Sequence, residues 1–263
     1  MPEVPVAFND ADAYESYMGQ WSRAIGENFI AWLAPPAEAR WLDVGCGTGA
    51  FCDLIAARCK PKSISGVDPA AAQIAFARSK FPHSDLRVAD AMALPFGEGE
   101  FDIVASALVL HFIPDRAKGL SEMKRVTRRG GIVAGYTWER ASTENGAPYA
   151  PMMRGLRAIG AEVMSSPTVP EASLDGLQAA LATARFENIE VTKVEATQTF
   201  RDFDEYWRIQ TLTLSPAGKS VAKLNDKERN RLRDTLRTTL PIAADGSISY
   251  AARAVAFQAR KAD

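Results

Sequence analysis

Asp43, Gly45, Gly47 and Gly49 stand at alternate positions in Leu42-Asp43-Val44-Gly45-Cys46-Gly47-Thr48-Gly49-Ala50-Phe51, a spacing that lets a ligand lie against bare backbone. Glycine tolerates positive φ and brings no Cβ into the approach path. The start of a helix beyond such a turn offers unpaired N–H groups to a carboxylate or phosphate. An acid that could hold a ribose follows at Asp68, nineteen positions after Gly49. That is the distance at which a carboxylate ending a second strand accepts from sugar hydroxyls. An aspartate capping a strand end would look the same.

The elements that must position these groups are legible around them. Trp41, Leu42 and Val44 give the stretch before the turn an apolar strand character, and Phe51, Leu54, Ile55 and Cys59 recur at helical spacing behind it. Ile64 to Val67 reads as a second strand, Leu86 to Asp90 as a third, Phe101 to Ser106 as a fourth and Ile132 to Trp138 as a fifth. Leu120, Met123, Val126 and Thr127 mark a helix face, with Arg128-Arg129-Gly130-Gly131 expected to close that helix through cations and a glycine cap. Alternating strands and helices imply a parallel, doubly wound α/β sheet that binds ligands at the strands' carboxyl ends.

Dinucleotide sites usually space their glycines as G-x-G-x-x-G, whereas this turn reads G-x-G-x-G behind an acid. It resembles motif I of the class I S-adenosylmethionine (SAM) dependent methyltransferases, in the methyltransferase type 11 branch that includes the ubiquinone and menaquinone enzymes. The resemblance is carried by specific motifs from about Tyr14 to Trp138. It implies a Rossmann-like seven-stranded sheet of order 3-2-1-4-5-7-6 with the last strand antiparallel, and a helical cap. SAM is the implied cofactor and S-adenosylhomocysteine the product.

The family pattern falls on particular residues. Asp43, Gly45, Gly47 and Gly49 would carry the cofactor turn, and Asp68 and Pro69 would meet the ribose. Asp90 and the Ala91 N–H would meet adenine, an acceptor and a donor matched to an exocyclic amine and a ring nitrogen. Asp90 as the cap of a short turn is equally compatible. Backbone near Ala107 would accept from the methionine ammonium, and Arg23 could pair with the methionine carboxylate through a planar fork. Asp102 opens its strand, away from the ligand edge, and reads as structural.

His111 follows the fourth strand, where the resemblance places methyl transfer. It is the candidate base or acceptor-orienting group, or a histidine that simply satisfies a neighbour. His83 reads as a loop residue. Tyr14, Tyr17, Trp138 and Tyr149 are candidates for the acceptor pocket together with His111, aromatic faces being attractive to a sulfonium. The N-terminal aromatics would equally suit an amphipathic helix packed on the sheet.

The expected organisation is an N-terminal helical segment over the cofactor (1–35), a SAM-binding core (36–139), helical cap insertions (140–170 and 198–245) and the C-terminal part of the core sheet (171–197 and 246–263). Within the last parts, Phe186 to Ala196 and Ser247 to Arg260 read as strands, and Phe200 to Leu240 as helical with an Asn225/Glu228 capping box.

Composition narrows the function classes. A chain of 263 residues with net charge −1 has no field for nucleic acid or an anionic membrane. No stretch is apolar enough to span a bilayer, and since nothing at Met1-Pro2-Glu3 resembles a charged signal with an apolar run, no membrane association is expected. Cys46, Cys52 and Cys59 are spaced too irregularly for a metal site or a disulfide frame, so reduced thiols and a cytoplasmic setting are expected. With two histidines no metal is expected. The Asn/Asp-Pro-Pro-aromatic signature for a flipped base is replaced by Ala105-Ser106-Ala107-Leu108. The expected partner is a small organic acceptor methylated at O, C or N, with the protein a monomer or homodimer. The alternatives are a noncatalytic SAM-binding protein and an NAD(P)-dependent oxidoreductase.

Overall fold

Trp41, Leu42, Asp43 and Val44 are almost wholly shielded from solvent, so the strand they form needs neighbours on both edges and both faces. The computed structural model describes residues 15–140, 146–164 and 169–262. β1 (Arg40–Val44) pairs in parallel with β2 (Ser63–Asp68) and β4 (Phe101–Ala107); β2 pairs with β3 (Asp85–Val88), and β4 with β5 (Thr127–Trp138). β7 (Ile248–Arg260) runs antiparallel to β5, matching Ile132 to Arg260 and Trp138 to Ala254. With β6 (Glu187–Phe200) at the edge, the seven-stranded order is β3-β2-β1-β4-β5-β7-β6, the order the resemblance implied. The fold is the Rossmann-like, doubly wound α/β class.

The chain divides into two compact units. The larger comprises Ser22–Thr143, Val169–Glu195 and Arg253–Asp263. It contains α1 (Gln20–Leu33) from Ser22 onward, α2 (Ala50–Cys59), α3 (Ala71–Lys80), α4 (Arg116–Val126) and α6 (Leu174–Thr183). Its core gathers Leu42, Val44 and Val104 from the sheet with Leu120, Met123, Leu177 and Phe257. Gly135 shows how tight this packing is, because an added Cβ would lie 2.5 Å from the Ser106 carbonyl oxygen and 2.9 Å from the Phe257 ring. Gly135→Ala is therefore expected to cost about 1–3 kcal/mol by overpacking, read as a lower denaturation midpoint in urea. An unchanged midpoint would contradict the packing described.

Asp102 holds the opposite end of the sheet from the glycine turn. It accepts from the backbone N–H and side chain of Arg40 and from Arg128, and the Arg40 hydrogen bond holds its carboxyl well below the ordinary range. Its structural reading stands.

One expectation fails in this unit. Helix α4 stops at Val126, and Arg128-Arg129-Gly130-Gly131 belongs to β5 instead of a helix cap. Tertiary pairing overrides the local signal: Thr127 is already in register with Phe101, the Gly130 N–H donates to the Lys261 carbonyl, and Arg260 donates to the Gly130 carbonyl. The positive φ of Gly130 serves a strand that slips register between Phe101 and Ile103.

The smaller unit comprises Met1–Trp21, Glu144–Thr168 and Ala196–Ala252. A π-helical turn (Glu15–Gly19) leads into α1, and the unit's own helices are α5 (Ala150–Ala158), α7 (Phe203–Gln210), α8 (Pro216–Ala222) and α9 (Asp226–Thr239). The stretch expected to be helical from Phe200 to Leu240 is thus three helices, each opened by a side-chain cap from Asp202, Ser215 or Asn225. The Asn225/Glu228 capping box is present. Leu232 and Leu236 on α9 meet Gly155 on α5, where a Cβ would lie 3.0 and 2.9 Å from them. Only glycine lets these helices approach so closely.

Candidate functional site

The turn after β1 is built by backbone hydrogen bonds that only glycine-rich sequence can make. The Gly45 and Cys46 N–H groups both donate to the Val67 carbonyl, and the Gly49 N–H donates back to Cys46. Gly45, Gly47 and Gly49 all take positive φ, at 82°, 55° and 86°. Space is as restrictive as conformation. A Cβ on Gly45 would sit 2.4 Å from the Val109 side chain, and one on Gly49 would sit 2.6 Å from the Phe81 ring. Gly49 is also the N-cap of α2 and has no side chain to occupy the helix's first amides.

Two carboxylates flank this turn. Asp68, at the end of β2, accepts from the Gly47 N–H at 3.0 Å through Oδ2 and from the Ala70 N–H at 2.8 Å through Oδ1. It is mostly buried, and burial raises its pKa against the pull of those amides. Each oxygen keeps a lone pair for a further donor. Pro69 follows it, exposed, in the link to α3.

Asp43 differs. It is wholly buried, its Oδ2 accepts from the Cys52 thiol at 3.4 Å, and its Oδ1 has no hydrogen-bond partner among the described residues. Burial pushes its pKa up to about 7, with the Asp68 charge adding to the rise and the Cys52 contact opposing it. A buried carboxylate oxygen without a donor is costly and calls for one. Cys52 is one residue that sequence reasoning passed over. Its signal was positional: it lies in the first turns of α2, directly behind the glycines, where a side chain can reach back to the strand end.

The carboxyl end of β4 brings the next group. Leu108 takes a positive φ of 61° just beyond Ala107, a conformation uncommon for a branched residue, and its N–H donates to the Tyr136 carbonyl. A one-turn 3₁₀ helix, Leu110–Phe112, then presents His111. Its Nδ1 lies 2.7 Å from the Thr137 hydroxyl on β5. Burial and the Arg140 charge lower its pKa to about 3, so the ring is neutral near pH 7. Thr137 was not among the sequence candidates, and its distance along the chain left no local signal. The hydroxyl can orient the imidazole so that Nε2 either donates or accepts. So weakened a base is poorly suited to abstracting a proton and well suited to orienting a substrate.

The other candidates lie on separate elements. Asp90 is exposed and its carboxylate accepts from the Met92 N–H at 2.8 Å, so the cap reading is realised, and Ala91 sits half-buried beside it. Arg23 is exposed on α1. Trp138 is buried at the end of β5, paired with Ala254. Tyr17, buried, and Tyr149, the N-cap of α5, belong to the smaller unit, and Tyr14 lies outside the described residues. Among the described residues no cluster of His, Cys, Asp and Glu is arranged to hold a metal ion, and no helix is long and apolar enough to cross a membrane.

Residues 42–135, which contain the turn, both carboxylates, Asp90 and His111, match the family described as the methyltransferase domain. The chain is 33% identical over 145 residues to malonyl-[acyl-carrier protein] O-methyltransferase of Methylococcus capsulatus, covering 53% of this chain and 52% of that protein. It is 36% identical over 102 residues to the chloroplastic tocopherol O-methyltransferase of Arabidopsis thaliana, covering 37% of this chain and 29% of the other. The chain thus spans about half or less of the length of these curated relatives. Among solved structures, phosphoethanolamine N-methyltransferase 2 of Haemonchus contortus in complex with S-adenosyl-L-methionine superposes with a TM-score of 0.55. That match has 20% identity and covers 95% of this chain and 56% of that one, a likeness of fold.

Proposed function

We propose, from the class I SAM-dependent methyltransferase domain to which residues 42–135 belong, that the chain binds SAM and transfers its methyl group to a small organic acceptor at O, C or N. The observation that carries the reading is Asp43, a buried carboxylate beside the glycine turn with one oxygen left without a donor. SAM has a primary ammonium to offer that oxygen. A nicotinamide dinucleotide has none, which separates this reading from the oxidoreductase.

The chain's residues divide the work. Gly45, Gly47 and Gly49 keep the approach to the backbone open, Asp68 with Pro69 takes the ribose hydroxyls, and Asp90 with the Ala91 N–H takes adenine. Asp43 and the backbone carbonyls near Ala107 take the ammonium, and Arg23 the carboxylate. His111, held by Thr137, orients the acceptor, with Trp138, on the same strand as Thr137, as the aromatic candidate from the larger unit. When bound, SAM supplies a methyl carbon activated by a sulfonium. The protein then needs to align and desolvate a nucleophile, and alignment can supply much of the acceleration.

The named acceptors of the relatives differ, malonyl-[acyl-carrier protein] in one and tocopherol in another, so they do not single out an acceptor for this chain. Titration calorimetry with SAM, S-adenosylhomocysteine and NADH tests the reading. Saturable binding of both adenosyl ligands and none of NADH is expected, and the reverse preference would sink it. A noncatalytic SAM-binding protein would bind equally well but transfer no labelled methyl to any acceptor in a broad panel.

A separate expectation concerns pH. Because His111 is already neutral, the rate of transfer is expected to show no inflection near pH 6.5 that His111→Ala removes. The variant should instead lose about tenfold in rate with SAM affinity within about twofold. A parent inflection near pH 6.5 that disappears in the variant would restore the general-base role.

A further inference from the structure

The smaller unit encloses polar groups that the fold itself does not use. Tyr206 and Gln210 lie one turn apart on the buried face of α7, both with no exposed surface. Among the described residues the Tyr206 hydroxyl and both the Oε1 and Nε2 of Gln210 have no hydrogen-bond partner, nor does Nε1 of the equally buried Trp21. Flipping the Gln210 amide changes nothing, since neither of its ends is met. Aromatic rings line the same region. Trp21 lies 5.4 Å from Tyr250, Tyr250 lies 6.2 Å from Tyr206, and Phe200 and Tyr250 stack at 5.8 Å and 17°. Tyr250 differs from the others in having its hydroxyl satisfied, by the Pro148 carbonyl.

Enclosed polar groups without partners are rare because each forfeits its hydration. Two of them, Trp21 and Tyr206, belong to the aromatic cluster and Gln210 lies one helical turn from Tyr206, a grouping that indicates a ligand supplying the missing partners. We propose that the smaller unit binds an uncharged, flat small molecule whose adjacent carbonyl and N–H pair with the Gln210 amide, while Tyr206 and Trp21 donate to its remaining acceptors. The chemistry selects against ions. A carboxylate would set its second oxygen against Gln210 Oε1, and burial keeps Tyr206 protonated by raising its pKa. The stacked rings favour a planar body. That this ligand binds in the smaller unit does not depend on the methyltransferase reading.

The test uses the full chain without SAM and 2-pyridone as the probe, a planar lactam with adjacent C=O and N–H. Calorimetry or ligand-observed NMR is expected to show saturable binding of 2-pyridone and none of benzoate at equal concentration. Gln210→Leu should weaken 2-pyridone at least about tenfold. In the absence of ligand the same variant should melt at a higher temperature than the parent, since it no longer buries an amide without partners. Tyr206→Phe, a smaller change, should weaken the probe several-fold and leave the fold intact. Failure of 2-pyridone to bind, equal binding of benzoate, or a lower melting temperature for Gln210→Leu would each overturn the proposal. SAM binding measured on the same sample reports separately on the methyltransferase reading.

Discussion

Replacing Asp68 by alanine is expected to weaken SAM and S-adenosylhomocysteine by about a hundredfold or more, the largest single effect on affinity in the chain. Each Asp68 oxygen already accepts one backbone N–H, from Gly47 and Ala70, and these contacts aim the remaining lone pairs. Hydrogen bonds to a charged acceptor contribute about 1.5–3 kcal/mol each, so losing the two proposed ribose contacts corresponds to roughly two to four orders of magnitude. Part of the loss is indirect, because the Gly47 N–H loses its acceptor and the turn loosens. Asp68→Asn, which keeps an acceptor and loses the charge, should fall between parent and alanine variant. Calorimetric titration reads both. Unchanged affinity in Asp68→Ala, with the fold verified by its melting temperature, would remove this residue from the cofactor site.

Asp43→Asn is expected to move stability and affinity in opposite directions. Burial raises the Asp43 pKa to about 7 in the folded chain, against about 4 when unfolded. The native state therefore holds this proton to higher pH than the unfolded state does. Linkage then makes stability fall as pH rises from about 4 to about 7 and stay level above, by an amount on the order of 4 kcal/mol. The asparagine variant has no proton to lose, so near pH 8 it should be the more stable protein, with the difference vanishing near pH 4. S-adenosylhomocysteine should behave inversely. Its affinity for the parent should rise through pH 7 as the carboxylate proposed to meet its ammonium forms, whereas the variant should bind at least about tenfold more weakly with no such rise. Urea denaturation and calorimetry at pH 5 and 8 measure both halves. A variant less stable than the parent at pH 8 would show that the Asp43 charge is matched within the folded chain.

The parts of this site that were legible in sequence are the parts whose chemistry is local. Gly45, Gly47 and Gly49 announce their positive φ by being glycine, and Asp68 is fixed by the length of one helix and one strand. The strand order came from the family resemblance, since periodicity carries no information about which strands are neighbours. What escaped depends on partners distant in the chain. Arg128 to Gly131 carry every local mark of a helix end, yet pairing with β4 and the chain near Lys261 draws them into β5. Thr137 reaches His111 only once β4 and β5 are side by side. Gln210 and Tyr206 look like ordinary residues of an amphipathic helix, and only their enclosure without partners sets them apart.

The position of β7 between β5 and β6 has a consequence for how the protein is made. On a ribosome β6 emerges well before Ile248, and until β7 follows it the free edge of β5, from Ile132 to Trp138, has no antiparallel partner. An apolar strand edge left open is a template for pairing with other chains. Nascent chains halted between Phe200 and Ile248 should therefore be aggregation-prone and engage chaperones, whereas chains extended past Arg260 should not.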